Sequence, residues 1–295
     1  MAHPTFDDRD GWIWLDGRMV AWRDAKVHML THALHYGSSV FEGERAYGGQ
    51  MFRSTEHSSR LKESGRTMDF EIPWIVEQID AAKAEVLRRN DLTDACVRPL
   101  AWRGSEMIGV GAQSAAIHLG IAAWEWPSDF DPAHRMHGVR IDMADYRRPD
   151  PTTAPALAEA SGLYMICTLS RHRAERRGFA DALMLDWQGR VAECTAANVF
   201  LVKDGALHTP IVDCFLACIT RATVIDLARG LGVPVFERRI MPAELTDFSE
   251  CFLTGTAAEV TPVSGIASIA YKPGAITAAL IDAYAEAVRP RRAAA

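Results

Sequence analysis

Thr254-Gly255-Thr256-Ala257-Ala258-Glu259 ends the apolar strand Cys251-Phe252-Leu253 in a run of small residues. Small side chains at a strand end let backbone N–H groups come close to an anion. An ordinary strand-to-turn junction reads the same way, so its companions matter. Cys218-Ile219-Thr220-Arg221 opens an amphipathic helix expected over 220–231. Val224, Leu227, Ala228 and Leu231 form its inner face, and Gly232 stops it. Open N–H groups at a helix start, with a threonine hydroxyl, can seat a phosphate. A plain threonine cap is the alternative. Glu193, in Val191-Ala192-Glu193-Cys194, lies between apolar strands. Such an acid is either on an exposed face or buried with a cationic partner.

Working outward, the remaining patterns alternate strands and helices. Trp12 to Leu15, Asp16-Gly17 and Arg18 to Val20 read as a hairpin, and Phe41 to Arg53 as a second one around Gly48-Gly49. Helices are expected over 56–68, 74–89, 164–177 and 275–288. In the second of these, Ile75, Ile79, Ala82 and Val86 share a face. Strands are expected over 117–126, 139–144, 182–185, 198–202, 233–240 and 251–254. Arg147 to Ala156 holds three prolines and reads as a loop. The composition break Pro127-Ser128-Asp129-Phe130-Asp131-Pro132 marks a boundary. The expected division is an α/β domain over 1–127, a linker over 128–137 and a second domain over 138–295.

Bulk composition excludes several classes of function. The 295 residues carry 32 basic and 38 acidic side chains, a net charge of −6, which argues against a nucleic-acid platform or an anionic membrane partner. No uncharged apolar run approaches the length of a membrane span. The N-terminus is polar, without a signal core. Six cysteines show no CxxC pair and no zinc spacing, so no metal site is expected. A small-molecule-binding protein of the cytoplasm is the expectation.

The pieces add up to a family pattern. The first half holds Thr31-His32-Ala33-Leu34-His35-Tyr36-Gly37, Val40-Phe41-Glu42-Gly43 with Arg45, Glu56-His57 with Arg60-Leu61, and Val97-Arg98-Pro99. The second holds Gly178-Phe179, Leu185-Asp186, Asn198-Val199-Phe200, Ile219-Thr220-Arg221, Glu237-Arg238 and Gly255 to Val263. In this order the chain resembles the class IV (fold type IV) pyridoxal-phosphate aminotransferases, and most of all the branched-chain amino acid aminotransferases. The resemblance implies an α/β (α+β) two-domain fold. Its N-terminal domain is smaller, and its larger C-terminal cofactor-binding domain has a β-barrel-like core. It also implies a homodimer.

The resemblance assigns roles residue by residue. Arg60 matches the arginine that pairs with the cofactor phosphate, and Ile219, Thr220 and Thr256 match the rest of the phosphate cup. Tyr164 matches the tyrosine that hydrogen-bonds the ring hydroxyl. Glu193 matches the acid that keeps the pyridine nitrogen protonated, which makes the ring an electron sink. Tyr36, Arg45, Arg98 and Trp126 fall where the family builds its substrate pocket. Ala257 and Ala258 supply the loop that receives the substrate carboxylate.

One position departs most. The family's Schiff-base lysine lies five residues before the ring tyrosine, and here that residue is Glu159, in Ala158-Glu159-Ala160-Ser161-Gly162-Leu163-Tyr164. The lysines are Lys26, Lys62, Lys83, Lys203 and Lys272, none between 84 and 202. A carboxylate forms no imine. It can act as a general acid/base or pair with the amine of pyridoxamine phosphate. Leu163, Cys96, Cys218 and the stretch Cys194-Thr195-Ala196-Ala197 also depart from the family pattern. The expectation is pyridoxal or pyridoxamine phosphate held non-covalently, or another anionic ligand, with Glu159 as the acid/base. An ordinary transaminase of low activity and a non-catalytic partner subunit or sensor are the alternatives.

Overall fold

The computed structural model describes residues 5–126 and 136–289. They form two units, residues 5–126 with Ala158–Gly162, and residues 136–157 with 163–289. Most of the expected linker, 128–135, lies outside the described residues. Ala158–Gly162 was expected in the second domain but packs with the first unit. Backbone bonds hold it there: Val40 and Ala160 form an antiparallel bridge, and the Phe41 N–H donates to the Glu159 carbonyl at 3.1 Å.

In the first unit, β1 (Trp12–Leu15) and β2 (Arg18–Ala21) form the expected hairpin. Asp16 and Gly17 both take positive φ, as a tight two-residue turn requires. A short helix α1 (His32–Tyr36) ends at Gly37, whose φ is 66°. A Cβ there would come within 3.2 Å of the Gly162 Cα, so this close approach needs glycine. The run expected as one strand is divided into β3 (Ser39–Phe41) and β4 (Glu44–Tyr47), followed by β5 (Gln50–Met51). Both pair with β6 (Ala95–Arg103) in one continuous register, Phe41 opposite Leu100 and Glu44 opposite Val97. Glu42 between them donates its N–H to the Pro99 carbonyl. Pro99 has no N–H to return, which interrupts the ladder at Glu42.

β7 (Ile117–Glu125) lies beside β6, giving the order β2-β1-β7-β6-β4-β5 with β3 also on β6. Two helices, α2 (Ser54–Thr67) and α3 (Val76–Arg89), complete the unit. Ile75, expected on the inner face of α3, precedes the helix and is exposed, while Lys83 joins Ile79, Ala82 and Val86 on the buried face.

The second unit is a nine-stranded mixed sheet with three helices. Its strands are β8 (Val139–Met143), β9 (Asp181–Leu185), β10 (Val191–Cys194), β11 (Asn198–Lys203), β12 (Ala206–Pro210), β13 (Val235–Arg238), β14 (Glu250–Gly255), β15 (Glu259–Ile266) and β16 (Ile269–Ala270). The order is β10-β9-β8-β15-β14-β11-β12-β13, with β16 on β15. The helices are α4 (Tyr164–Arg176), α5 (Ile219–Gly230) and α6 (Ala275–Val288). Alternating residues of the central strands form one core: Ile141, Leu183, Val199, Leu201, Cys251, Val263 and Ile266 are fully buried. Each such large aliphatic contributes about 1.5–3 kcal/mol on burial, which fixes the strand ends where the expected site residues lie. Among the described residues no helix is long and apolar enough to cross a membrane.

Candidate functional site

In the first unit, Arg60 on α2 is the centre of a buried polar cluster. Its Nε and Nη2 donate to Glu42 Oε1 and Oε2, both at 2.7 Å, in a planar fork. His57, one turn back on α2, bonds the same carboxylate at 2.7 Å. Glu42 is wholly buried. Burial works against its charge, but the Arg60 guanidinium and the His57 contact outweigh it and hold the carboxyl below its ordinary pKa. Burial also lowers the His57 pKa, aided by the Arg60 and Lys83 charges, against the pull of Glu42. The imidazole is therefore largely neutral at pH 7.

Glu159 joins this cluster. Its Oε2 is 3.6 Å from Arg60 Nη2, and its side chain is 9% exposed against 18% for Arg60. The Glu159 backbone N–H donates to Ser64 Oγ at 3.1 Å. With the Phe41 bond to its carbonyl, both backbone groups of Glu159 are tied to the first unit.

The expected substrate residues of this unit separate into two kinds. Arg45 opposes Cys96 on β6, and Arg98 is two residues further along that strand, so both guanidiniums leave the same sheet face. Both act on the Cys96 thiol, yet burial dominates and raises its pKa. Arg45 Nη2 donates to the Trp126 carbonyl at 3.1 Å, and Arg98 stacks over Phe41 with 4.6 Å to the ring centre. Tyr36 and Trp126 are largely exposed, at 46% and 37%.

In the second unit, Glu193 on β10 is largely shielded, its side chain 13% exposed, and it has a cation that the sequence reading missed. Arg148 Nε lies 3.3 Å from Glu193 Oε1, and Arg148 is buried. Asn198 Nδ2 donates to Glu193 Oε2 at 3.0 Å. Arg148 Nη1 also lies 3.3 Å from the Cys167 sulfur. Burial works against the Arg148 charge, but Glu193 prevails and raises its pKa. The available signal was that a buried acid between apolar strands needs a cation; Arg148 was hidden in a proline-rich loop. Tyr164, at the start of α4, is half-buried.

Ile219 and Thr220 form the first turn of α5, where no side-chain cap closes the helix end. Thr256, Ala257 and Ala258 make the turn between β14 and β15. A Cβ on Gly255 would meet the Ala196 carbonyl at 3.2 Å, so this glycine lets the strand end pass close to the loop after Glu193. Thr254 and Asn198 oppose each other across β14 and β11. Thr254 Oγ1 and Asn198 Oδ1 are both buried without a hydrogen-bond partner among the described residues.

A family model described as class IV amino-transferase matches residues 39–266. The chain belongs to the class IV aminotransferases. The branched-chain-amino-acid aminotransferase of Pseudomonas aeruginosa is 39% identical over 288 residues, covering 95% of this chain and 94% of that one. A probable branched-chain-amino-acid aminotransferase of Rickettsia conorii is 39% identical over 86% of each chain. The T.th. branched-chain amino acid aminotransferase, solved with pyridoxamine 5′-phosphate, superposes with a TM-score of 0.93 at 37% identity over 96% of each chain. The mixed α/β architecture, with its strongly curled half-barrel sheet, is that of the fold type IV structures.

The second unit's donors fit a phosphorylated pyridine of this kind. It offers an uncapped helix start, small-residue amides, a shielded carboxylate and two orphaned polar atoms. In the first unit, Lys62 and Lys83 are engaged elsewhere. Lys62 Nζ donates to the carbonyls of Ile72 and Trp74, and Lys83, fully buried, is bound by Glu44. A cavity of about 490 Å³ in this unit, lined by Ser54, Asp80 and Arg88 among others, contains none of the expected site residues. Cys194 is wholly buried and its thiol is pushed far up by burial, which leaves it unreactive.

Proposed function

We propose that this aminotransferase-family protein binds pyridoxal or pyridoxamine phosphate without a covalent link and uses Glu159 as its acid/base. Glu159 carries the reading. It occupies the position that, by resemblance, belongs to the Schiff-base lysine. It is buried, fixed through both backbone groups, and set beside Arg60. A fixed, desolvated carboxylate suits proton transfer at a single atom.

When bound, the cofactor supplies a ring that absorbs the electron pair of a carbanion at a substrate Cα. The protein's part is to hold and orient. On the second unit, Ile219, Thr220 and Thr256 would carry the phosphate, Tyr164 the ring hydroxyl and Glu193 the ring nitrogen; on the first unit, the resemblance assigns Arg60 to the phosphate. Arg45 and Arg98, on one sheet face, suit an anionic substrate group. By the same resemblance, Tyr36 and Trp126 on the first unit and Ala257 and Ala258 on the second are assigned to the substrate. A homodimer, the domain limits 1–127 and 138–295, and a cytoplasmic setting belong to the same proposal.

Titration of the purified protein with both cofactor forms tests the reading. Micromolar, dialysable binding of at least one form is expected, and binding of neither removes the cofactor from the proposal. An ordinary branched-chain transaminase is the second reading, favoured by the 39% identity over nearly the whole chain. Borohydride-stable cofactor on the unmodified protein would establish it.

A further inference from the structure

Resting on the reading that Glu193 carries the ring nitrogen, we infer that Arg148 and Asn198 are positioning residues for it. They hold one oxygen each of the Glu193 carboxyl and set the pH range over which that acid can meet a protonated ring.

The placement of Glu193 begins with an irregularity in the sheet. Val191 opposes Leu185 and Glu193 opposes Met184, so two steps along β10 match one along β9 and Ala192 is the extra residue. Val191 and Cys194 both join the apolar core, a spacing of three that a regular strand does not put on one face. The extra residue makes that possible and turns Glu193 toward the face of Met184. There Met184 meets the Cys167 thiol of α4, sulfur to sulfur at 4.0 Å.

The two donors converge on Glu193 from different elements. Arg148 is fixed at its backbone, where its N–H donates to the Leu185 carbonyl of β9 at 2.8 Å. Its guanidinium spans two elements, with Nε 3.3 Å from Glu193 Oε1 and Nη1 3.3 Å from the Cys167 sulfur. Asn198, also buried, donates from Nδ2 to Glu193 Oε2 at 3.0 Å. A buried ion pair adds little net stability; what it fixes is geometry.

The ionisable neighbours of Glu193 include three thiols, Cys167, Cys194 and Cys214. Burial raises all three, Cys167 to about 11 and Cys214 to about 12, so they stay uncharged across the neutral range. Asp181 on β9 has the Arg171 guanidinium 3.5 Å away, and Tyr164 acts on Arg148. Interaction between two ionisable groups is reciprocal. Against the effect of burial, Glu193 raises the Arg148 pKa, so Arg148 favours the charged form of Glu193 equally. The Asn198 donor favours the same form. Losing either moves to higher pH the point at which Glu193 takes up a proton and stops accepting from a protonated ring nitrogen. An opposite charge at this distance shifts a carboxyl by about one to three pH units, and a neutral donor by less.

The test is isothermal titration of the full chain, stripped of bound small molecules, with the tighter-binding of pyridoxal and pyridoxamine phosphate, from about pH 5 to about pH 8. Affinity should fall on acidification. The midpoint of that fall should lie about one unit or more higher in Arg148→Gln and about half a unit higher in Asn198→Leu. The ligand's own ionisations are common to the unmodified protein and both variants, and cancel. Asn198→Leu also removes an amide oxygen that has no hydrogen-bond partner among the described residues, so it decides if Arg148→Gln does not fold. A midpoint that does not move, even where affinity drops at every pH, makes the contacts merely structural and overturns the inference while leaving the cofactor reading intact. Binding of neither form to the unmodified protein removes both the inference and the reading beneath it.

Discussion

Arg60 and Lys83 lie in the same unit, and each stands between two carboxylates. Arg60 has Glu42 at 2.7 Å and Glu159 at 3.6 Å. Lys83 has Glu44 at 2.9 Å and Asp80 at 3.1 Å. Their surroundings differ. Lys83 and Glu44 are wholly buried, and Lys83 also donates to the Ser54 carbonyl. Asp80 accepts hydroxyl bonds from Ser54, Thr55 and Ser58. That cluster ties α3 to β4 and α2, and its polar groups are used up in doing so. The Arg60 cluster is looser toward its second acid and partly reachable by solvent. The same ratio of one cation to two carboxylates thus gives a structural tie in one place and a candidate ligand contact in the other.

The sharpest way to break this comparison is to reverse the charge of the second acid in the open cluster. Glu159→Lys reverses the charge there and puts an amine at the position that, by resemblance, belongs to the Schiff-base lysine. The expected outcome is a change from no borohydride-trapped cofactor to about one per chain, read by intact mass. If the variant folds and binds cofactor but traps none, the pocket around residue 159 has diverged as well, and Glu159 alone does not explain the altered chemistry.

In the closed cluster the expected effect is on stability. Glu44→Leu removes both oxygens that accept from the buried Lys83 ammonium, leaving Asp80 as its remaining carboxylate, and should cost about 1–3 kcal/mol in urea unfolding. Lys83→Met should cost less, because burial already raises the Glu44 pKa to about 8, against the pull of Lys83, and the acid can stay neutral by keeping its proton. The double variant Glu44→Leu/Lys83→Met should recover most of the loss, since two apolar side chains fill the place of the pair. A Glu44→Leu cost under about 1 kcal/mol would mean that the tie is not structural.

Which of these features the sequence disclosed follows from their range along the chain. The terminal helix Ala275–Val288 matches its expected limits, and both hairpins have their turns where Asp16-Gly17 and Gly48-Gly49 predict. Those are local signals. The motif order was enough to identify the family, which residues 39–266 confirm. β6 was not read as a strand because Pro99 and two arginines mask its alternation, although it pairs with both β4 and β7. Lys83 lies in the helix expected over 74–89 but was not among its named inner-face residues, and Arg148 lies in the expected loop from Arg147 to Ala156. Each is buried because an acid distant in sequence, Glu44 or Glu193, requires it. Pairing at such separation leaves no periodic trace. Glu159 was legible as a departure, whereas its attachment to the first unit needed Val40, Phe41 and Ser64 in three dimensions.

The smallest expected effect separates the two clusters by pH. Glu44 faces Lys83, with the negative charges of Glu42 and Asp80 nearby. Its folded pKa of about 8 lies above the ordinary 4.5, so the folded state holds a proton that the unfolded chain has released. Its contribution to stability is therefore full below about pH 4.5 and is lost as pH rises toward 8. Glu42 faces Arg60 and His57, and its folded pKa is depressed. Its contribution is present above the unfolded value and is lost on acidification. The stability difference between the unmodified protein and Glu44→Gln should thus fall from pH 6 to pH 7, by no more than the one-proton ceiling of about 1.4 kcal/mol. For Glu42→Gln the same difference should be flat over that interval and fall only in acid. Parallel profiles for the two variants would show that the cations, rather than the depth of burial, set the charge state of both glutamates.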